Sequence, residues 1–294
     1  MIQDIAPHRY DNHYEEKKIN ENSLVMLFHH GKVLVNKTET ALLYLSYKEV
    51  PVCVREKSFT YLFTIDEQDY FLGRVPEHSR QNRLADSQEC REEYVPEGIT
   101  KVYQWEAVSI FREKKYGFRA FAGITAYQLY QWYRDNRICS RCGSNLVHSH
   151  QERMMQCPDC GQAVYPRISP AVIVGITNGD QLLLTKYAAG DYKRYALVAG
   201  FTEIGETIEE TVSREVMEEV GLKVKNIRYY KSQPWSFSGT LLMGFFAEVD
   251  GSTEIRMDEN ELAVAEWVKR DQVPHGEGEI SLTREMMDIF YKST

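Results

Sequence analysis

Long apolar runs are missing from this 294-residue chain, and with them the ~20 consecutive apolar residues that a membrane-spanning helix requires. The first residues, Met1-Ile-Gln-Asp-Ile-Ala-Pro7, have neither the basic nor the apolar segment of a secretory signal. Positive charge is also short: 35 Lys and Arg against 43 Asp and Glu leave a formal net charge of −8. An acidic protein repels bare phosphates, which disfavours broad binding to nucleic-acid backbones. A site here that handles a phosphorylated substrate therefore needs metal cations to bridge the two. Cysteine is scarce, six in all, and four of them stand in two Cys-x-x-Cys pairs. That pattern fits a reduced, metal-binding protein better than a disulfide scaffold, so the expected location is the cytoplasm, with no membrane partner. Internal repeats and low-complexity tracts are absent too. What is present suffices for a sizeable core: 43% hydrophobic and 12% aromatic residues over a length that holds two domains and a small insert.

Residues 1–133 read as a strand-rich N-terminal domain. Leu24–His29, Lys32–Val35, Ala41–Tyr47, Phe59–Ile65 and Gln68–Leu72 are β-prone runs, with Gly31 marking a hairpin turn between the first two. Residues 77–98 are polar, a loop or irregular helix, and from about Thr100 to Arg134 the apolar spacing becomes helical, ending in Ala120–Trp132. None of this identifies chemistry; packing or dimerisation is the expected role. Residues 134–166 hold the cysteine pairs and a proline-bearing connector. In residues 167–294, strands are expected at Ala171–Thr177 and Gln181–Lys186 around an Asn178-Gly179-Asp180 turn, then at Ala196–Ala199, Lys223–Tyr230 and Leu241–Val249. Helices are expected at Thr207–Val220, stopped by Gly221, and near Leu282–Tyr291.

Cys139-Ser-Arg-Cys142-Gly and Cys157-Pro-Asp-Cys160-Gly are fourteen residues apart. Two tight turns, each carrying two thiolates, make a tetrahedral sulfur site suited to one structural Zn²⁺, with no coordination position left for water. The glycine after each pair relieves the knuckle. Redox-active or unmetallated thiols are the alternative. Cys53 and Cys90 stand alone and read as free thiols.

The second constellation is acidic. Glu215, Glu218 and Glu219 share one arc of about 100° on the expected helix, with Val212, Val216, Met217 and Val220 on the core side. Thr207 and Glu210 form a capping box that fixes the helix start and brings Glu206 alongside. Packed carboxylates repel one another until Mg²⁺ or Mn²⁺ binds among them, and Arg214 reaches Glu218 at i,i+4. Taken alone, acidic residues on a helix are usually just a solvated face.

The whole segment, Gly200-x₅-Glu206-x₇-Arg214-Glu215-Val216-x-Glu218-Glu219-x-Gly221-Leu222, resembles the Nudix box over 23 positions without a gap. The resemblance implies an α+β chain whose catalytic part is an α/β/α sandwich around a mixed sheet, preceded by a Cys₄ zinc ribbon and the strand-rich N-terminal domain. It also implies metal-dependent hydrolysis of a nucleoside diphosphate linked to another group. Downstream, Ser232-Gln-Pro-Trp-Ser-Phe-Ser238 is similar to the Ser-Gln-Pro-Trp-Pro-Phe-Pro signature of the NADH pyrophosphatase branch, as are Trp132 and Tyr165-Pro166-Arg167 beside the cysteines. Phe71-Leu72-Gly73 resembles a short motif of that branch's N-terminal domain.

That branch implies hydrolysis of NADH or NAD⁺ to nicotinamide mononucleotide and AMP by a homodimer. Glu206, Glu215, Glu218, Glu219 and Glu261 are the implied Mg²⁺ or Mn²⁺ ligands, Glu218 or Glu219 the general base, and Arg214 a catalytic neighbour. Phe201 and Tyr165 match positions that sandwich a base, while Gln233 and Trp235 match the nicotinamide end, with Thr283 nearby. Core packing is the alternative for Phe201, and a rigid Pro-Trp turn for Trp235. Ser236, Ser238, Thr240-Leu241-Leu242 and Thr283 depart from the branch pattern, which touches substrate preference rather than hydrolysis. Two other roles remain open: decapping of NAD-capped RNA, and, in another class, an inactive Nudix nucleotide sensor. Inactive relatives lose box glutamates, and none is missing here.

Overall fold

The computed structural model describes residues 1–50, 55, 59–74, 102–189, 194–276 and 280–293. The expectations for residues 77–98, Cys53 and Cys90 lie outside them. The chain divides into two compact units, residues 2–167 and residues 168–294 with Met1, so the cysteine-bearing segment belongs with the N-terminal strands rather than forming a unit of its own. Side chains explain why: Arg153 donates to the Leu62 carbonyl and stacks over the Tyr14 ring, and the Tyr14 hydroxyl donates to the Ser149 carbonyl at 2.8 Å.

Two sheets make up the N-terminal part. Tyr10–Asp11, Thr60–Ile65, Gln68–Leu72, Leu24–Met26 and Leu45–Ser46 form one, in that spatial order; Phe28–His29, Lys32–Lys37, Leu42–Leu43 and Gln104–Ala107 form the other. The expected runs Leu24–His29 and Ala41–Tyr47 are each broken once, at Leu27 and Tyr44, because the chain changes sheets there. His30 and Gly31, both at positive φ, close the expected hairpin onto His29 and Lys32. The expected helix from Thr100 is corrected: Gln104–Ala107 is a strand on Val35–Lys32. The helix α1 (Gly117–Asp135) begins only at Gly117, whose φ of +51° blocks its upstream extension. It packs Phe121 and Ile124 inward, and the Phe111 ring lies where a Cβ on Gly123 would be.

The second unit contains β1 (Ser169–Asn178), β2 (Gln181–Tyr187), β3 (Val198–Phe201), α2 (Ile208–Val220), β4 (Val224–Trp235), β5 (Thr240–Val249), β6 (Leu262–Lys269) and α3 (Leu282–Lys292). Its sheet runs β4-β5-β1-β2-β6, with β3 on the first half of β1; β1 and β5 are parallel and the other pairs antiparallel. The β1–β2 hairpin closes at Asn178 and Gln181, and the glycine alone of that turn takes positive φ. Alternation on β1 sends Val172, Val174 and Ile176 to Val212, Val216 and Val220 of α2, and Ile173 to Leu282, Met286 and Phe290 of α3. The result is the expected α/β/α sandwich. Strand β6 escaped the sequence reading, since its alternation is weak and its partner is β2, some eighty residues upstream.

One expectation for α2 is overturned. Around the helix axis, at about 100° per residue, Glu219 lies about 60° from Val216, Met217 and Glu215 about 100°, and Glu218 about 160°. Met217 is accordingly exposed rather than in the core, and Glu219 is buried, 3% exposed.

Candidate active site

The carboxylates of the box are held by local devices. Thr207 caps α2, accepting from the Glu210 N–H at 3.2 Å while Glu210 accepts from the Thr207 N–H at 2.8 Å. Gly221 ends the helix in the left-handed conformation at φ +69°. Gly200 on β3 is required by contact: a Cβ there would lie 1.9 Å from Cδ of Glu215. The carboxyl of Glu215 thus packs directly on the strand backbone.

Arg214 gathers the rest. Its Nε and Nη2 donate to the two oxygens of Glu206 at 2.5 and 2.9 Å, and its Nη1 donates to Glu215 and Glu218, both at 2.8 Å. Nη2 also donates to the Phe201 carbonyl at 2.9 Å, tying the helix to the end of β3. The guanidinium and the Glu203 N–H hold the Glu206 carboxyl down to about 2. Glu215 is raised, mainly by burial against Gly200.

Glu219 stands apart. Oε1 accepts from the Ala199 N–H at 3.3 Å, and buried Oε2 has no hydrogen-bond partner. Burial pushes this carboxyl up to about 8, and the charges of Glu215, Glu261 and Asp258 add to the shift. A buried carboxylate oxygen with no hydrogen-bond partner, within the electrostatic reach of other carboxylates, has the hard-oxygen character that suits a divalent cation. Glu261 sits on the exposed loop before β6, its electrostatic influence reaching Glu215 and Glu219. That loop is fastened to α2, since the N–H groups of Arg256 and Asp258 donate to the Val220 and Glu219 carbonyls, both at 2.9 Å. Asp258 was not singled out from the sequence; the only signal was its place in an acidic run, Asp258-Glu259.

The expected substrate residues lie in both units. Phe201 is 55% exposed at the end of β3. Tyr165, in the other unit, is 53% exposed and donates to Glu152 at 2.9 Å. Trp235 ends β4 with its ring 4.9 Å from that of Phe237, and Thr283 is half-buried in the first turn of α3. Gln233 is wholly buried: its Nε2 donates to the Ile280 carbonyl at 2.8 Å and its Oε1 accepts from the Leu282 N–H at 2.7 Å. In this arrangement its amide anchors the start of α3.

The four cysteine sulfurs lie within 4.8 Å of one another and, among the described residues, are the one group of three or more donors packed that closely. Cys139–Cys160 and Cys142–Cys157 are 3.6 and 3.4 Å apart, too long for a disulfide and close to the ~3.8 Å edge of a tetrahedron with ~2.3 Å metal–sulfur bonds. Gly143 and Gly161 take φ of +80° and +73°, each donating back to the first cysteine carbonyl of its pair. The repeated knuckle and its sulfur set fit structural zinc.

Residues 167–287 match the family model described as NUDIX domain. The chain carries a Nudix domain. Immediately before it, residues 134–165 match the NADH pyrophosphatase zinc ribbon domain. Relatives include the NAD-capped RNA hydrolase NudC of Photorhabdus laumondii, 45% identical over 147 residues that make up 50% of this chain and 57% of that protein. NudC of Pseudomonas aeruginosa is 42% identical over 165 residues, 56% of this chain and 59% of the relative. The chain thus spans less than two thirds of the length of either. A crystal structure of a NUDIX hydrolase from Nitrosomonas europaea aligns with a TM-score of 0.46 at 20% identity, covering 53% of this chain and 90% of that one.

Proposed function

We propose that the protein hydrolyses the pyrophosphate of NADH or NAD⁺ to nicotinamide mononucleotide and AMP. The observation that carries this is the complete box around Arg214, with an unsatisfied buried oxygen on Glu219, in a domain that follows in sequence a ribbon of the NADH pyrophosphatase type. Glu206, Glu215, Glu218, Glu219 and Glu261 would hold Mg²⁺ or Mn²⁺, which neutralises pyrophosphate charge and acidifies a bound water. Glu218 or Glu219 takes the proton as the water oxygen attacks the adenylate phosphorus. The bridging P–O bond breaks and its electron pair leaves on the nicotinamide mononucleotide phosphate. Arg214 keeps Glu206, Glu215 and Glu218 from swinging apart. Phe201 and Tyr165, each about half exposed, offer ring faces for a base, and Trp235 with Thr283 is assigned to the nicotinamide end; Gln233, expected there too, has both amide atoms engaged at the start of α3.

The test is product analysis after incubation with NADH and Mn²⁺. AMP and reduced nicotinamide mononucleotide, formed only with added metal, are expected; no products from folded, zinc-loaded protein would refute the reading. The names of the relatives favour a second substrate, NAD-capped RNA, which presents the same pyrophosphate; rates on the two substrates rank them. Cytoplasmic location is supported by a Cys₄ site that needs reduced thiols. The homodimer rests on resemblance to the branch, and the solution mass tests it.

A further inference from the structure

On the sheet face opposite α2, away from the Nudix carboxylates, a cleft of about 660 Å³ opens between the C-terminal half of α3 and the ends of β1, β4 and β5. Its size is that of a small-ligand site. The lining includes Phe246, a half-buried ring packed over Gly175, where a Cβ would meet the ring at 2.8 Å. Ile289, 42% exposed, and Phe290 form the apolar wall on α3. Lys225, Arg228 and Arg270 line the cleft against a single acidic lining residue, Glu248, in a chain whose net charge is −8.

These cations are not equally engaged. Arg270 donates to the Phe290 carbonyl at 2.9 Å and to Ser293, so it supplies charge while closing the end of α3. Lys225 bonds Asp250 at 3.0 Å with both groups about half exposed. Arg228 reaches Glu248 only at 3.9 Å, its side chain is 70% exposed, and Glu248 is already bonded by Asn226 at 2.9 Å. An incoming phosphate outcompetes an exposed 3.9 Å pair at small cost, since such surface pairs contribute little. Arginine also grips phosphate through two parallel hydrogen bonds.

We propose that this cleft binds a nucleoside monophosphate, its base on Phe246 and its phosphate at Arg228 and Lys225. The ligand is either free nucleotide or one residue of an RNA chain; both present the same ring and phosphate. The site does not depend on the hydrolysis reading, because it lies on the other face of the sheet and needs no catalytic metal.

Binding of AMP and of a short 5′-phosphorylated oligoribonucleotide is measured by calorimetry on the full chain without added Mg²⁺ or Mn²⁺. Phe201→Ala serves as the background, to remove a base contact of the active site. Lys225→Gln with Arg228→Gln is expected to weaken binding by about tenfold or more; both positions are exposed, and unchanged melting confirms the fold. Asn178→Asp, which adds a negative charge to the lining, is expected to weaken it too. AMP binding lost in these variants assigns free nucleotide; oligonucleotide binding alone, lost in the same way, assigns a chain. No binding of either probe, equal binding by the variants, or equal competition by inorganic phosphate would overturn the proposal.

Discussion

Glu219 is the residue on which stability and the proposed catalysis meet. Its raised pKa, about 8, means that the metal-free fold holds a proton which an unfolded glutamate gives up near pH 4.3. The sign follows from linkage: stability from the neutral carboxyl is complete below about pH 4 and is lost as pH rises through about 8. Glu219→Gln should therefore raise the Tm of protein without added Mg²⁺ or Mn²⁺ more at pH 8 than at pH 5, while abolishing hydrolysis. Equal shifts at both pH values would show that the carboxyl is already charged. Gly200→Ala tests the opposite side of the site. The new methyl must displace the Glu215 carboxyl, and misplacement by ~1 Å can cost ~10²-fold in rate; kcat should fall, and an unchanged kcat would remove Glu215 from the machinery. Glu215, Glu218 and Glu219 could be placed on α2 because a helix sets side chains by counting, and Glu219's burial follows from its offset of about 60° from Val216; Glu206, ahead of the helix, and Glu261, on the loop before β6, were reached as ligands only through the resemblance. Gln233 was not legible in this way. Its partners, at 280 and 282, lie across the fold, and a sequence motif does not say which backbone an amide will meet.

At the scale of elements, legibility tracked locality. Helix α2 was placed to within a residue because Thr207, Glu210 and Gly221 carry start and stop signals within the helix itself. Replacing Thr207 with Ala should cost ~1 kcal/mol of stability through the lost cap, read as a lower Tm of this unit. Strands Gln104–Ala107 and β6 were misread or missed because their identity is conferred by distant partners, Lys32–Val35 and β2. The anchoring of α3 is likewise non-local and has its own consequence. Gln233→Leu leaves the Ile280 carbonyl and Leu282 N–H unpaired, at ~1–3 kcal/mol for each buried group. Lower Tm with unchanged KM for NADH is expected if the amide serves the fold; raised KM at unchanged Tm would assign it to the substrate.

The whole molecule divides where the sequence changes character, after Arg167, yet the ribbon lies on the N-terminal side of that division. Its strands, Val147–His148, Met155–Gln156 and Ala163–Val164, are two residues each, too short to hold a fold by backbone pairing. Two of its sulfurs, on Cys139 and Cys157, are buried, each against a sulfur of the other cysteine pair. Metal binding is then folding free energy for the ribbon, and through Arg153 and Tyr14 for the sheet it is tied to. Heating should give two transitions, because two compact units each bury their own core. Cys142→Ser, or stripping about one zinc per chain with a strong chelator, should lower only the transition of residues 2–167. The transition of the Nudix domain, residues 168–294, which contains no cysteine, should stay where it is. Calorimetry with and without zinc decides it: one transition that moves as a whole would mean that the two units melt as one, and two transitions that both ignore zinc would mean that the four cysteines are not a structural metal site.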